Sequence, residues 1–249
     1  MFKKFTIYNI LITIILSIII PYTGVLAKEK DSPLESSESK VIYITFDDGI
    51  SCKITPKILD TLKKEEVPAT FFLIGETLDD NQDILKRMVD EGHSVGLHTY
   101  THERNKIYRS KEAFLDEMLK TQNKIYEITS VKTNILRFPF GVNNTSFHIN
   151  KDWETFLHNK GFMIYDWNVD TADGANPKSS VSTIYKKAMS NQPYIILLMH
   201  CTNLHNNTST ALPKIIKHYK DAGYEFKKID ETTPEMYRIH NKKVINFVY

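Results

Sequence analysis

Only two cysteines, Cys52 and Cys201, occur in 249 residues, which excludes a small scaffold stapled by disulfides. Glycine is also scarce, with nine in all, so no collagen-like repeat is present. Neither sign of charge dominates: 32 lysines and arginines face 30 aspartates and glutamates, and no basic run exists to track a phosphate backbone. Nucleic acid is therefore not an expected partner. No Gly-x-Ser-x-Gly elbow and no glycine-rich phosphate loop appears, so serine-nucleophile hydrolysis and nucleotide chemistry lack their usual parts. Internal repeats and heptads are missing as well. Against these absences stands a hydrophobic fraction of 41%, enough to bury a core and to exclude a disordered chain.

Long apolar runs are absent with one exception. Lys3 and Lys4 precede a nearly unbroken apolar stretch from Phe5 to Ile20, broken by Pro21 and Gly24 ahead of Val25-Leu26-Ala27. A basic start, an apolar middle and a small-residue end give residues 1–27 the pattern of a secretory signal peptide. The alternative is an uncleaved anchor, because the stretch is long enough to cross ~30 Å of hydrocarbon. Either reading exports the remainder, as a secreted protein or one held at the wall and outer membrane face, with residues 1–27 the only membrane contact. Residues 28–40 (KEKDSPLESSESK) are polar and serine-rich, the composition of a flexible linker.

From Val41 onward, short β-rich runs alternate with helical periodicity. Strands are expected at 41–46, 69–74, 94–97, 135–138, 163–167, 194–199 and 224–229. Helices are expected at 55–64, 81–91, 112–128, 153–160, 180–190 and 211–222, where apolar residues recur three and four apart. Such alternation predicts an α/β fold with a parallel sheet or barrel, whose chemistry sits at the carboxyl ends of the strands.

Four polar clusters fall at those ends. Asp47-Asp48-Gly49 closes the first strand; two adjacent carboxylates there fit cation binding and proton transfer, or a plain Asp-Gly turn. His98 and His102 stand four apart, and on a helical turn they would face one side, as a metal pair or as solvated histidines. With Asp48 as a third ligand, two histidines and a carboxylate leave coordination positions open, which suits a catalytic metal. Arg137 ends a strand before the rigid Phe138-Pro139-Phe140-Gly141 and is either a clamp for a carboxylate or a surface ion pair. His200 ends the most apolar strand, Tyr194 to Met199, either as an edge residue or as an acid. Metal-assisted hydrolysis is the reaction class left standing.

In this order the clusters resemble the polysaccharide deacetylases of carbohydrate esterase family 4, the NodB homology domain. The five family motifs match Thr45-Phe46-Asp47-Asp48-Gly49, His98-Thr99-Tyr100-Thr101-His102, Arg137-Phe138-Pro139-Phe140, Asp170-Thr171-Ala172-Asp173 and Leu198-Met199-His200. The resemblance implies a distorted (β/α)7-8 barrel, with Asp48, His98 and His102 as ligands of one divalent metal. Zinc is the usual ion of the family, and cobalt or another divalent ion can serve. It also implies Asp47 as general base oriented by Arg137, the Phe140 amide at the oxyanion, His200 as general acid tuned by Asp173, and Leu198 lining the acetyl slot. The implied reaction removes N-acetyl groups from an N-acetylated glycan polymer and releases acetate. Export, a short tether and an Ile-, Lys- and Asn-rich composition of Gram-positive type make peptidoglycan the expected glycan. Chitooligosaccharide, poly-N-acetylglucosamine and O-acetylated xylan are alternatives, as is a wall-binding pseudo-enzyme, and the protein is expected to act as a monomer.

Two positions depart from the family pattern. Gly174 stands where tryptophan is frequent, which removes an aromatic wall from the groove. Cys201 replaces a frequent aspartate, and with Cys52 it resembles a rarer pattern of clostridial deacetylases. An even cysteine pair in an exported chain is expected to form a disulfide across the rim of the site; two free thiols or an extra metal ligand are the alternatives. The catalytic domain is expected over 41–235, with 236–249 as a C-terminal tail.

Overall fold

The run VIYITFD has no apolar–polar alternation and forms strand β1 (Val41–Asp47), buried along nearly its whole length. A strand of this composition has neighbours on both edges and is covered on both faces. β7 (Tyr194–His200) pairs with it in parallel over all seven residues, so that Val41 faces Tyr194 and Asp47 faces His200. On the other edge β8 (Glu225–Lys227) takes Val41–Tyr43, and β2 (Thr70–Leu73) takes Thr45–Asp47. β3 (Ser94–Leu97), β4 (Ile135–Leu136) and β5 (Met163–Ile164) continue outward from β2, and β6 (Val169–Asp170) lies beyond β7. All pairings are parallel, in the order β5-β4-β3-β2-β1-β7-β6. Among the described residues no ladder joins β5 to β6. The chain itself, Tyr165 to Asn168, spans that opening, so the sheet is a curled half-barrel and the α/β barrel expectation holds.

This computed structural model describes residues 39–239. The expected signal segment 1–27, nearly all of the linker 28–40 and the last ten residues lie outside the described residues. Among the described residues no helix is long and apolar enough to cross a membrane.

The period of two along β1 sorts its side chains. Ile42, Ile44 and Phe46 join the large core beneath the helices, while Tyr43, Thr45 and Asp47 point inside the barrel. Helix α1 (Thr55–Glu65) buries Ile58, Leu59 and Leu62, carries Pro56 in its first turn and ends on Glu66 in the left-handed region at φ 54°. α2 (Gln82–Asp90), the short α3 (Arg104–Ile107) and α4 (Lys111–Thr129) follow; Ser110 caps α4 by accepting the Ala113 amide. α5 (Lys151–His158) and α6 (Val181–Ala188) are capped likewise by Asn150 and Ser180. α7 (Asn206–Asp221) starts five residues earlier than expected and keeps Pro213 inside it. The helix runs through Pro213 because its inner face is packed: Ala211, Leu212, Ile215, Ile216 and Tyr219 are all buried.

The tail begins later than expected. Met236 bridges Tyr165, the Tyr237 hydroxyl donates to Glu154 Oε1 at 2.6 Å, and Met236, Tyr237 and Ile239 are buried. Residues 236–239 therefore belong to the fold, because they pack against the edge that β5 leaves open.

Candidate active site

The carboxyl end of β1 supplies two carboxylates in different conformations. Asp47 ends the strand, buried inside the barrel, whereas Asp48 turns out of it with φ 70°. Gly49 is required by packing: a Cβ there would stand 2.2 Å from Cys201 Sγ. The Asp-Gly pair is thus a turn that also aims both carboxylates at one cleft.

His98 and His102 meet there by a route the spacing did not predict. His98 follows β3 directly, but residues 98–103 are a loop and not a helical turn. Thr99 at φ 67° and His102 at φ 58° are both left-handed, and these two reversals bring the rings together, with centroids 5.1 Å apart. His98 Nδ1 lies 2.9 Å from the Arg137 carbonyl, an acceptor, so Nδ1 carries a proton and Nε2 is the nitrogen turned toward Asp48. His98 Nε2 and His102 Nε2 each stand 3.4 Å from Asp48 Oδ1. Ligands bound tetrahedrally at ~2.1 Å are separated by ~3.4 Å, so both histidine–carboxylate separations fit one cation's coordination sphere, and all three atoms lie within 4.8 Å of one another. Burial lowers His102 to about 4, with His98 adding to the effect, so that ring is neutral and able to ligate at neutral pH. Burial alone would raise Asp48, but His98 and then His102 and His200 hold it well below the usual carboxylate range. Two imidazole nitrogens and a carboxylate oxygen converging within 4.8 Å of one another are a donor set that a divalent cation can take.

Arg137 is fully buried, which settles the choice between a clamp and a surface pair. Its Nη1 donates to Asp47 Oδ1 at 2.8 Å and Thr45 Oγ1 at 2.7 Å; Nε and Nη2 donate to the Tyr165 and Asp166 carbonyls at 3.0 Å each. Its guanidinium lies over the Phe72 ring at 4.2 Å. The other Asp47 oxygen, Oδ2, stands 3.8 Å from His98 Nε2, beside the ligand cluster.

His200, opposite Asp47 in the β1–β7 register, faces the same cleft. Its Nδ1 bonds Asp173 Oδ1 at 2.8 Å, while Asp173 Oδ2 accepts the His200 amide at 3.0 Å and the Thr208 hydroxyl at 2.7 Å. Burial would depress His200, but the Asp173 hydrogen bond and charge, with Asp47 and Asp48, outweigh it and raise His200 to about 9. Asp173, His200 and His205 also converge as a ligand-like group. The Asp173 hydrogen bond and charge favour a proton on His200, which suits this second cluster to proton donation. His205 stacks on His200 at 5.3 Å and is lowered by burial. Gly174 has no room for a side chain: a Cβ there would lie 2.4 Å from His200 Cε1.

Asp47, Asp48, His98, His102, Gly174, His200 and His205 line one cleft of about 460 Å³, together with Phe140, Trp167, Asp170, Leu198 and Leu204, while Arg137 and Asp173 lie fully buried behind it. Phe140, left-handed at φ 65°, sets its ring edge-on to His102 at 4.7 Å. Leu198 is buried in the floor. All nine expected site residues from Asp47 to His200 converge at this end of the barrel. The disulfide does not form. Cys52 faces solvent in the turn before α1, while Cys201 is buried with Sγ 3.7 Å from the Asp47 carbonyl, and both are free thiols. Sequence reasoning missed Trp167, Leu204 and His205; His205 alone carried a signal, as a second histidine five residues after His200.

The family model for polysaccharide deacetylase matches residues 35–154. A peptidoglycan-N-acetylglucosamine deacetylase of Bacillus cereus is 34% identical over 210 residues, spanning 82% of this chain and 74% of that protein. The chain belongs to the polysaccharide deacetylase family. A Listeria monocytogenes peptidoglycan-N-acetylglucosamine deacetylase is also 34% identical, over 82% of this chain and 41% of that longer protein. The crystal structure of a polysaccharide deacetylase from Bacillus cereus superposes with a TM-score of 0.71 at 34% identity, covering 78% of this chain and 94% of that one. Deacetylases of this family are hydrolases that use a divalent metal, and the Asp48–His98–His102 cluster supplies a matching donor set.

Proposed function

We propose that this deacetylase hydrolyses the N-acetyl group of N-acetylglucosamine in peptidoglycan, releasing acetate and leaving a free amino sugar. One observation carries the reading: a cation-ready donor triad, a carboxylate tied to a buried arginine and a proton-holding histidine line the same cleft. The names of the Bacillus and Listeria relatives support the substrate. Asp48, His98 and His102 hold the cation, zinc by preference for two imidazoles and a carboxylate. When bound, it polarises the acetyl carbonyl and acidifies water at neutral pH.

The remaining work falls to the chain. Asp47 accepts the proton of the attacking water through the carboxylate oxygen that Arg137 leaves free. Phe140, turned by its left-handed backbone, donates its amide to the developing oxyanion. His200 donates its proton from Nε2 to the departing amine, an otherwise very poor leaving group, while Asp173 fixes Nδ1. Leu198 closes the slot that takes the acetyl methyl group. The protein acts outside the cytoplasm, delivered by residues 1–27.

Acetate release from purified wall, from defined chitooligosaccharides and from acetylated xylan tests the reading on zinc-loaded protein. Release from wall is expected, and Asp47→Asn is expected to keep zinc and lose turnover. No release from any substrate by the loaded protein overturns the enzyme reading, and release from xylan alone makes it an esterase.

A further inference from the structure

The loop between the two histidine ligands is short, non-helical and strained. Thr99, a β-branched residue, and His102 both sit at positive φ, a conformation that persists only where the surroundings enforce it. Its carbonyls are held from one side: the Gly75 amide donates to Thr99 O and the Glu76 amide to Tyr100 O, each at 3.0 Å. That approach is close, since a Cβ on Gly75 would lie 2.3 Å from Tyr100 Cδ2. The amides are held from the other side by one side chain of α4.

Glu117 lies on the inner face of α4 and is 7% exposed. Its Oε2 accepts the Thr101 amide at 2.7 Å, the Tyr100 amide at 3.0 Å and the Thr101 hydroxyl at 3.1 Å. Three donors on one buried oxygen are charge-assisted bonds, the stronger kind, and all three come from the two residues midway between the ligands. Within the loop the Thr99 hydroxyl accepts the His102 amide at 3.1 Å, so the path from Glu117 to His102 is continuous. Helical spacing is not what aligns the two rings, since residues 98–103 form no helical turn.

We propose that Glu117 is the positioning residue of the cation site, holding the loop in the conformation that brings both Nε2 atoms to Asp48. This rests on the cation site proposed above. Outer groups that orient ligands typically change metal affinity by about 10–100-fold when removed.

The test is zinc affinity of the full chain, by competition with a chromophoric chelator, with the visible spectrum of the cobalt-loaded protein as a second readout. Glu117→Gln is expected to bind zinc about 10–100-fold more weakly and to alter the cobalt bands. Gln122→Ala is the control, because Gln122 on the same helix donates to the Thr133 carbonyl at 2.6 Å and does not touch the loop. It is expected to lower the melting temperature and leave zinc affinity within about threefold of wild type, below the range of a ligand-orienting group. Should Glu117→Gln not fold, Glu117→Asp keeps the charge, withdraws the oxygen and carries the same test. Unchanged zinc binding in the folded Glu117 variant, or equal weakening by Gln122→Ala, overturns the inference. A wild-type chain that binds no divalent ion overturns the cation site itself, whereas wild-type binding with an unchanged variant overturns the inference alone.

Discussion

Gly174 illustrates how one missing side chain defines a site. The space its Cβ would fill is taken by the His200 ring, which Asp173 holds from the other side of Nδ1. From sequence the glycine is a lost aromatic wall; in the structure it is the seat of the proposed acid. Gly174→Ala is expected to push the ring off its line, and a displacement of about 1 Å at a reacting group lowers turnover about 100-fold. Steady-state kinetics on a chitooligosaccharide check this, with kcat falling more than KM changes; wild-type kcat in the variant would show that the ring is not seated there. Cys201 yields to the same reasoning. It fills the volume above Gly49 and is shut off from solvent, and burial pushes its thiol up, which makes it inert. Thiol titration of protein purified without reductant is expected to find one fast-reacting group, Cys52, in the native state and a second only in denaturant. No reactive thiol in either state would restore the disulfide.

The proposed acid is assembled from three elements: His200 ends β7, Asp173 follows β6, and Thr208 on α7 donates to Asp173. The pH profile follows from that assembly. Asp173 is the largest group raising His200, so its removal lets burial dominate and moves deprotonation to lower pH. For Asp173→Asn the alkaline limb of kcat/KM is therefore expected about 1–2 pH units below that of wild type, the size of an opposite-charge effect at close range. A cation in the neighbouring site acts on both proteins alike. An unmoved limb would assign it to another group. The elements themselves were largely legible, because β1, β7 and the amphipathic helices declare themselves by runs and periods of apolar residues. What was not legible has a local cause in each case. β6 is a two-residue strand, too short to have a period. The histidine loop mimics helical spacing, since four residues with two left-handed turns also return a side chain to the same place. Glu117 reads as one more charge on a charged helix until its partners, sixteen and seventeen residues back in the chain, are seen.

The curled sheet leaves a seam between β5 and β6, and the proposed chemistry hangs on it. Arg137, which holds Asp47, anchors its guanidinium to the Tyr165 and Asp166 carbonyls inside that seam, and Trp167 lines the cleft from there. Residues 233–239 fasten the seam from outside, and within them Met236 makes the backbone bond that a chain ending at 235 loses. The Asp166 amide donates to the Met236 carbonyl at 2.6 Å, the Tyr165 hydroxyl donates to the Thr233 carbonyl at 2.6 Å, and Glu235 Oε1 accepts from the Ile164 amide. Met236, Tyr237 and Ile239 are each buried, and burial of such side chains contributes about 1.5–3 kcal/mol apiece. The three together amount to about 4.5–9 kcal/mol, comparable with the whole stability of a domain at about 5–15 kcal/mol. A chain ending at residue 235, the boundary expected from sequence, is therefore predicted to lose most of its cooperative unfolding transition relative to the full chain. Because the lost segment fastens the strand that positions Arg137, any folded fraction should also be slower in acetate release at saturating substrate. Denaturant unfolding and kcat of the two chains decide this: a truncated chain with unchanged midpoint and turnover would mean that the seam closes without residues 236–239, and that Arg137 is held by the sheet alone.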